Sequence, residues 1–149
     1  MRHVLTRLTF FRQTLLGSLA LATLLVAGCA SVETRKVIDL TPFKHIFVEH
    51  LLTDDKRVDE TIVAELTRLG YVATSGPLTM LPDEADAVLS YEDRWEWDFK
   101  SYMIEFSVTV RTARTKKKLA DGRYYQPTPN SKSPTEVVSK VLTPLFAKK

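Results

Sequence analysis

In Ala87-Val88-Leu89-Ser90-Tyr91-Glu92-Asp93-Arg94-Trp95-Glu96-Trp97, and again in Tyr102-Met103-Ile104-Glu105-Phe106-Ser107-Val108-Thr109-Val110, side chains alternate with a period of two. Ala87, Leu89, Tyr91, Asp93, Trp95 and Trp97 share one face of the first run. Tyr102, Ile104, Phe106, Val108 and Val110 share one face of the second. Successive residues of a strand point to opposite sides, so each run reads as a strand with one buried face. A loop of Asp98-Phe99-Lys100-Ser101 turns them into a hairpin. Trp97 then faces Tyr102, Trp95 faces Ile104, Asp93 faces Phe106, Tyr91 faces Val108 and Leu89 faces Val110. On the polar side Arg94 meets Glu105, a cross-strand pair worth about 0.2–1 kcal/mol. A one-residue slip would send one apolar set to water, which specifies this register strongly.

Working outward, His45-Ile46-Phe47-Val48-Glu49 is a short β-rich run. A helix follows, with Asp54 or Asp55 as its cap and Val58, Ile62, Leu66 and Leu69 as its apolar stripe. Gly70 stands where a helix-ending glycine belongs, and Tyr71-Val72-Ala73-Thr74 resumes a strand. Beyond the hairpin, a strand from Lys118 to Tyr125 returns after the basic turn, and Asp121-Gly122 is a candidate bulge. Ser133-Pro134-Thr135-Glu136 carries the marks of a capping box with proline at the first helical position. Val137, Val138, Val141, Leu142 and Leu145 form the apolar face of that second helix, and Pro144 is expected to kink or stop it. The order is β-α-β-β-β-β-α. It predicts an α+β two-layer sandwich, a mixed sheet with two helices on one face.

The start of the chain has a different character. Arg2, Arg7 and Arg12 precede an apolar run from Thr14 to Ala27, with no acidic residue before Cys29. As a helix that run spans about 21 Å, short of the roughly 30 Å hydrocarbon core of a bilayer. It reads as a signal peptide rather than a permanent span. It ends in Leu25-Val26-Ala27-Gly28-Cys29, which resembles the lipobox of bacterial lipoproteins. The resemblance implies cleavage between Gly28 and Cys29 and acylation of Cys29. Ordinary small-x-small cleavage at the same place is the competitor. Residues 1–28 are thus expected to be removed, 29–43 to be a lipidated tether, and 44–149 to form one domain. Within the tether, Val37-Ile38-Asp39-Leu40 could add an edge strand.

Cys29 is the only cysteine, so the mature domain must fold without a disulfide. The precursor carries a net charge of +3. Loss of the three arginines leaves the mature side chains near neutrality, which argues against nucleic acid as a partner. The cluster Arg114-Thr115-Lys116-Lys117-Lys118 is the one basic stretch. It reads as a solvated turn, with anionic lipid head groups or another acidic surface as the sharper alternative.

With the lipobox and this element order, the chain resembles the small α/β lipoproteins of Gram-negative outer membranes. That group includes the lipopolysaccharide-assembly lipoprotein, and its architecture is similar to the N-terminal domain of TolB. Leu69-Gly70-Tyr71 and Tyr91-Glu92-Asp93-Arg94-Trp95 carry the domain resemblance. In these families an aspartate after the acylated cysteine favours retention in the inner membrane. Ala30 stands there instead, which implies the periplasmic leaflet of the outer membrane.

Little in the chain points to catalysis. His45 and His50 lie at opposite ends of one short strand, where they cannot readily share a metal. No nucleophile, metal or phosphate-loop motif occurs, so neither a cofactor nor a metal is expected. The chain is expected to bind rather than to react, as a scaffold facing envelope proteins or glycolipids. A carrier of a small apolar ligand is the alternative, a hydrolase the least favoured reading, and the oligomeric state is open. Asp93, a carboxylate on an apolar face, needs a partner in Tyr, Trp N–H or Arg123, with a ligand-binding or general-base role as the alternative. The hairpin end, with Trp95, Trp97, Tyr102 and Lys100, is the candidate partner surface, because aromatic anchors dominate interfaces. The competing reading places these aromatics in the core.

Overall fold

The computed structural model describes residues 30–129 and 132–147. The signal segment, Cys29 and the Gly28 cleavage position lie outside them. Six strands form one sheet. They are β1 (Ser31–Lys36), β2 (His45–Glu49), β3 (Val72–Gly76), β4 (Ala87–Asp98), β5 (Lys100–Thr112) and β6 (Lys118–Tyr125). Helix α1 (Val58–Arg68) joins β2 to β3, and α2 (Pro134–Phe146) follows β6. The sheet order is β1-β6-β5-β4-β2-β3. β2 runs parallel to both β3 and β4, while β4, β5, β6 and β1 are antiparallel in succession. The expected α+β mixed sheet with two helices is therefore the fold.

The core lies between the helices and one face of the sheet. Ile46, Val48, Leu89, Phe106, Val108, Val110 and Tyr124 meet Val58, Ile62, Leu66, Val138, Val141, Leu142 and Leu145 there. β2 sits between two parallel neighbours and is apolar on both sides. Phe47, next to Val88, joins Ala85, Ala113 and Leu81 in a small cluster on the opposite face. Away from that cluster and from Tyr102 at the hairpin end, the opposite face is mostly polar. Glu105 is bridged there by its cross-strand partner Arg94 at 3.7 Å and, diagonally, by Arg123 of β6 at 2.6 Å.

Both helices stop and start for identifiable reasons. α1 ends in a Schellman arrangement: Gly70 at φ 86 lets Tyr71 N–H reach Leu66 C=O and Gly70 N–H reach Thr67 C=O. α2 begins with the reciprocal capping box of Ser133 and Glu136, with Pro134 in its first turn. It runs past Pro144 to Phe146, so Pro144 neither stops the helix nor ends it early. The N-terminus of α1 is served from a distance. Arg57 occupies the cap position at φ 55 without a side-chain bond. Asp54 accepts the N–H groups of Val58 at 2.7 Å and Asp59 at 3.2 Å.

Three expectations are corrected. Residues 30–43 are not merely a tether: Ser31–Lys36 form β1 on the edge beside β6, and Leu40 is buried in the core. The edge strand is therefore not Val37–Leu40. Asp121-Gly122 is not a bulge. The irregularity falls between Val110 and Arg111 of β5, which leaves Leu119 as the extra residue of β6. Gly122 instead lets α2 approach, since a Cβ there would lie 2.6 Å from Val141 Cγ1. The hairpin register holds from Leu89–Val110 through Arg94–Glu105 and then shifts. Ile104 is an extra residue, so Trp95 faces Met103, Glu96 faces Tyr102 and Trp97 faces Ser101. The pairs Trp97–Tyr102 and Trp95–Ile104 do not form.

Candidate functional site

β4 and β5 outrun the rest of the sheet. β6 is paired with β5 only as far as Glu105, and β2 with β4 only at Ala87–Leu89. Beyond Arg94 and Glu105 the hairpin continues for Trp95–Asp98 on one strand, about 14 Å at strand spacing. The expected four-residue loop is absent. Asp98 and Lys100 are still partners, and Phe99 alone makes the turn at φ 58. A bulky side chain is uncommon in that left-handed region, and such residues cluster where a site needs them.

The bulge decides where Tyr102 goes and what faces Trp95 and Trp97, because an extra residue in β5 re-aims every β5 side chain beyond it. Trp95 stays half-buried against the core, and its indole N–H donates to Asp93. Tyr102 goes to the other face, opposite Glu96, and is buried. The four-residue constellation expected at the tip is thus split. Trp95 and Tyr102 are largely withdrawn, and Trp97 and Lys100 remain in solvent. Phe99, read from sequence as a loop residue, joins them. Trp97 is 72% and Phe99 93% exposed, with ring centroids 6.3 Å apart. Glu96 precedes the pair and Asp98 lies between its two members in the chain, both exposed.

Below the tip lies a tightly satisfied polar cluster. Tyr91 O–H donates to Asp54 at 2.5 Å, tying β4 to the start of α1. Burial pushes the Tyr91 hydroxyl far up, and the Asp54 carboxylate adds to the effect. Burial also raises the Asp54 carboxyl, but the Tyr91 hydroxyl and backbone N–H groups outweigh it and hold Asp54 below the usual range. Burial lifts the Asp93 carboxyl above that range. The Trp95 indole pulls it down, and the charges of Asp54 and Asp55 push it up. Asp93 has the Trp N–H partner its position required, while Arg123 is committed to Glu105. His50 pairs with Asp59 at 3.1 Å and His45 lies 3.5 Å from Asp86, so the two histidines serve different carboxylates. On the open sheet face, Ser90, Glu92, Ser107, Thr109 and Arg111 line a shallow groove of about 160 Å³.

Among the described residues, no helix is long and apolar enough to cross a membrane. No family model matches the chain, and no curated protein matches it in sequence. Solved structures do. The PelC dodecamer from Paraburkholderia phytofirmans is 16% identical over 81% of this chain and all of that one, with a TM-score of 0.61. A single-residue variant of it gives 15%, 80%, 100% and 0.62. The shared property is the fold. TolB from Acinetobacter baumannii overlaps more loosely, at 13% identity over 74% of this chain and 28% of TolB, with a TM-score of 0.41.

Proposed function

We propose that this chain is a binding or scaffold module of the cell envelope, lipid-anchored at Cys29 in the periplasmic leaflet of the outer membrane. The observation that carries the reading is the exposed pair Trp97 and Phe99 at the end of a hairpin that projects past its own sheet. Two large rings this exposed, one at a left-handed turn, bury little of their apolar area in the fold. They are of the residue type that dominates interfaces. The lipobox residues and Ala30 support the anchor.

The packing favours a surface interaction over carriage of a ligand. Carriage needs an open cleft lined by Trp95 and Tyr102. These two lie on different faces, and side chains fill the space under the helices. The PelC structures, described as dodecamers, favour self-association here too. Trp97→Ser with Phe99→Gly tests the reading, because neither residue is in the core. The variant should melt within a few degrees of the wild type and lose the adduct, protein or lipid, that a photocrosslinker at the tip forms in cells. Unchanged crosslinking would refute the tip as the contact.

A further inference from the structure

The geometry points to a lipid bilayer as what the β4–β5 tip touches: Trp97 and Phe99 seat in the interfacial layer of the same leaflet that holds the acyl chains on Cys29. This rests on the anchor proposed above. It follows from where the strand ladders place the two ends of the chain's surface. Ser31 pairs with Tyr125, Tyr125 with Glu105, and Glu105 with Arg94, so one row crosses four strands. β1 starts on that row and runs away from the tip, toward Lys36 opposite Ala120. The chain therefore enters the sheet at the tip end. Only Ala30 separates Cys29 from Ser31, and two residues span at most about 7 Å. The Ser31 end of the row is held within that distance of the lipid surface, and the Arg94 end lies three strand spacings away, about 14 Å along the row. With the row lying along the leaflet, the tip extends about 14 Å beyond it, farther than the tether can hold it away. A flexible tether from 29 to 43 would have freed the domain from this constraint, and β1 removes it.

The chemistry at the tip suits the interface rather than the charged surface. Indole has an apolar body and a polar N–H, which places Trp at membrane–water boundaries. Phe99 supplies apolar area alone. Glu96 and Asp98 outnumber Lys100 within the tip, so attraction to anionic head groups is not the driving term. The basic turn of Arg114–Lys117 lies beyond Arg111 and Lys118, at the far end of the sheet from Ser31. It faces away from the leaflet, against the sequence-based alternative that it touches anionic lipid. One acyl chain binds only marginally and several bind firmly, so the tip is not needed for attachment. It fixes how the domain stands on the membrane.

The test uses the full lipidated chain reconstituted in phosphatidylcholine vesicles with plain or brominated acyl chains. The chain has two tryptophans, Trp95 and Trp97. Tryptophan emission should drop in brominated vesicles. The drop should persist in Trp95→Phe, vanish in Trp97→Phe, and be unaffected by anionic lipid or high salt. Emission insensitive to bromine, or a drop that survives Trp97→Phe, overturns the proposal. So does a drop that requires anionic lipid, which would make Lys100 the contact. Flotation of the same samples separates the two claims. A chain that floats without quenching refutes the seating alone. A chain that does not float and carries no acyl label refutes the anchor, and the seating with it.

Discussion

Gly122→Ala should destabilise the domain far more than an added methyl group suggests. The new Cβ would lie 2.6 Å from Val141 Cγ1, 3.1 Å from Leu145 Cδ1 and 3.4 Å from Thr34 Cγ2. The first distance is about 1 Å inside the 3.5–4.0 Å at which carbon atoms attract. Val141 is fully buried on α2, and a helical valine has one strongly preferred rotamer. The clash must then be relieved by moving the helix. Overpacking of this kind costs about 1–3 kcal/mol, or roughly 4 °C of melting temperature per kcal/mol for a chain of this size. Val141→Ala alone opens a cavity and should cost about 2 kcal/mol, between the usual Ile→Val and Leu→Ala values. In the double variant each change fills or vacates the space the other needs. Urea titrations of the four proteins should give a double-variant loss at least about 1 kcal/mol smaller than the sum of the singles. Additive losses would show that α2 does not rest on Gly122 and would refute this packing.

Two further outcomes follow. Hydrogen bonds from Arg68 hold the buried Glu65 carboxyl at about 2 against the desolvation that raises it, whereas the unfolded group titrates near 4.5. Its folded value is depressed, so its contribution is full above 4.5 and is lost as pH falls toward 2. Between pH 7 and pH 3 the wild type should lose about 2 kcal/mol more stability than Glu65→Gln, read from urea midpoints at each pH, and parallel losses would rule out Glu65. Phe106→Asp, fully buried beside Asp93, should prevent folding, while Thr109→Asp on the polar face should shift melting by a few degrees at most. Equal effects would mean the faces are misassigned.

The alternation of 87–97 and 102–110 carried the sheet's face and its register as far as Arg94–Glu105. The shift lay beyond reach because Tyr102, Met103 and Ile104 are three large apolar residues in a row. No local rule says which one the strand leaves unpaired. That one extra residue is what withdraws Tyr102 from the tip and leaves Trp97 in water. Phe99 was hidden for a related reason, since a turn of one residue at positive φ is normally glycine or asparagine. β1 was illegible because Ser-Val-Glu-Thr-Arg-Lys is exposed throughout and strand-like only through its pairing with β6, a contact that spans most of the chain. The helix caps, by contrast, are local chemistry. Ser133, Glu136 and Gly70 act where their spacing said they would.

The most direct test of the account is the state of residue 29. Cells expressing the wild type or Cys29→Ser are labelled with a clickable fatty acid, and the N-terminal peptide of each mature chain is weighed. The wild type alone should carry label, with an acylated N-terminus beginning at Cys29 in the outer-membrane fraction, and Cys29→Ser should stay unprocessed and unlabelled. Equal labelling of the two chains, or a wild-type N-terminus without lipid, would contradict it.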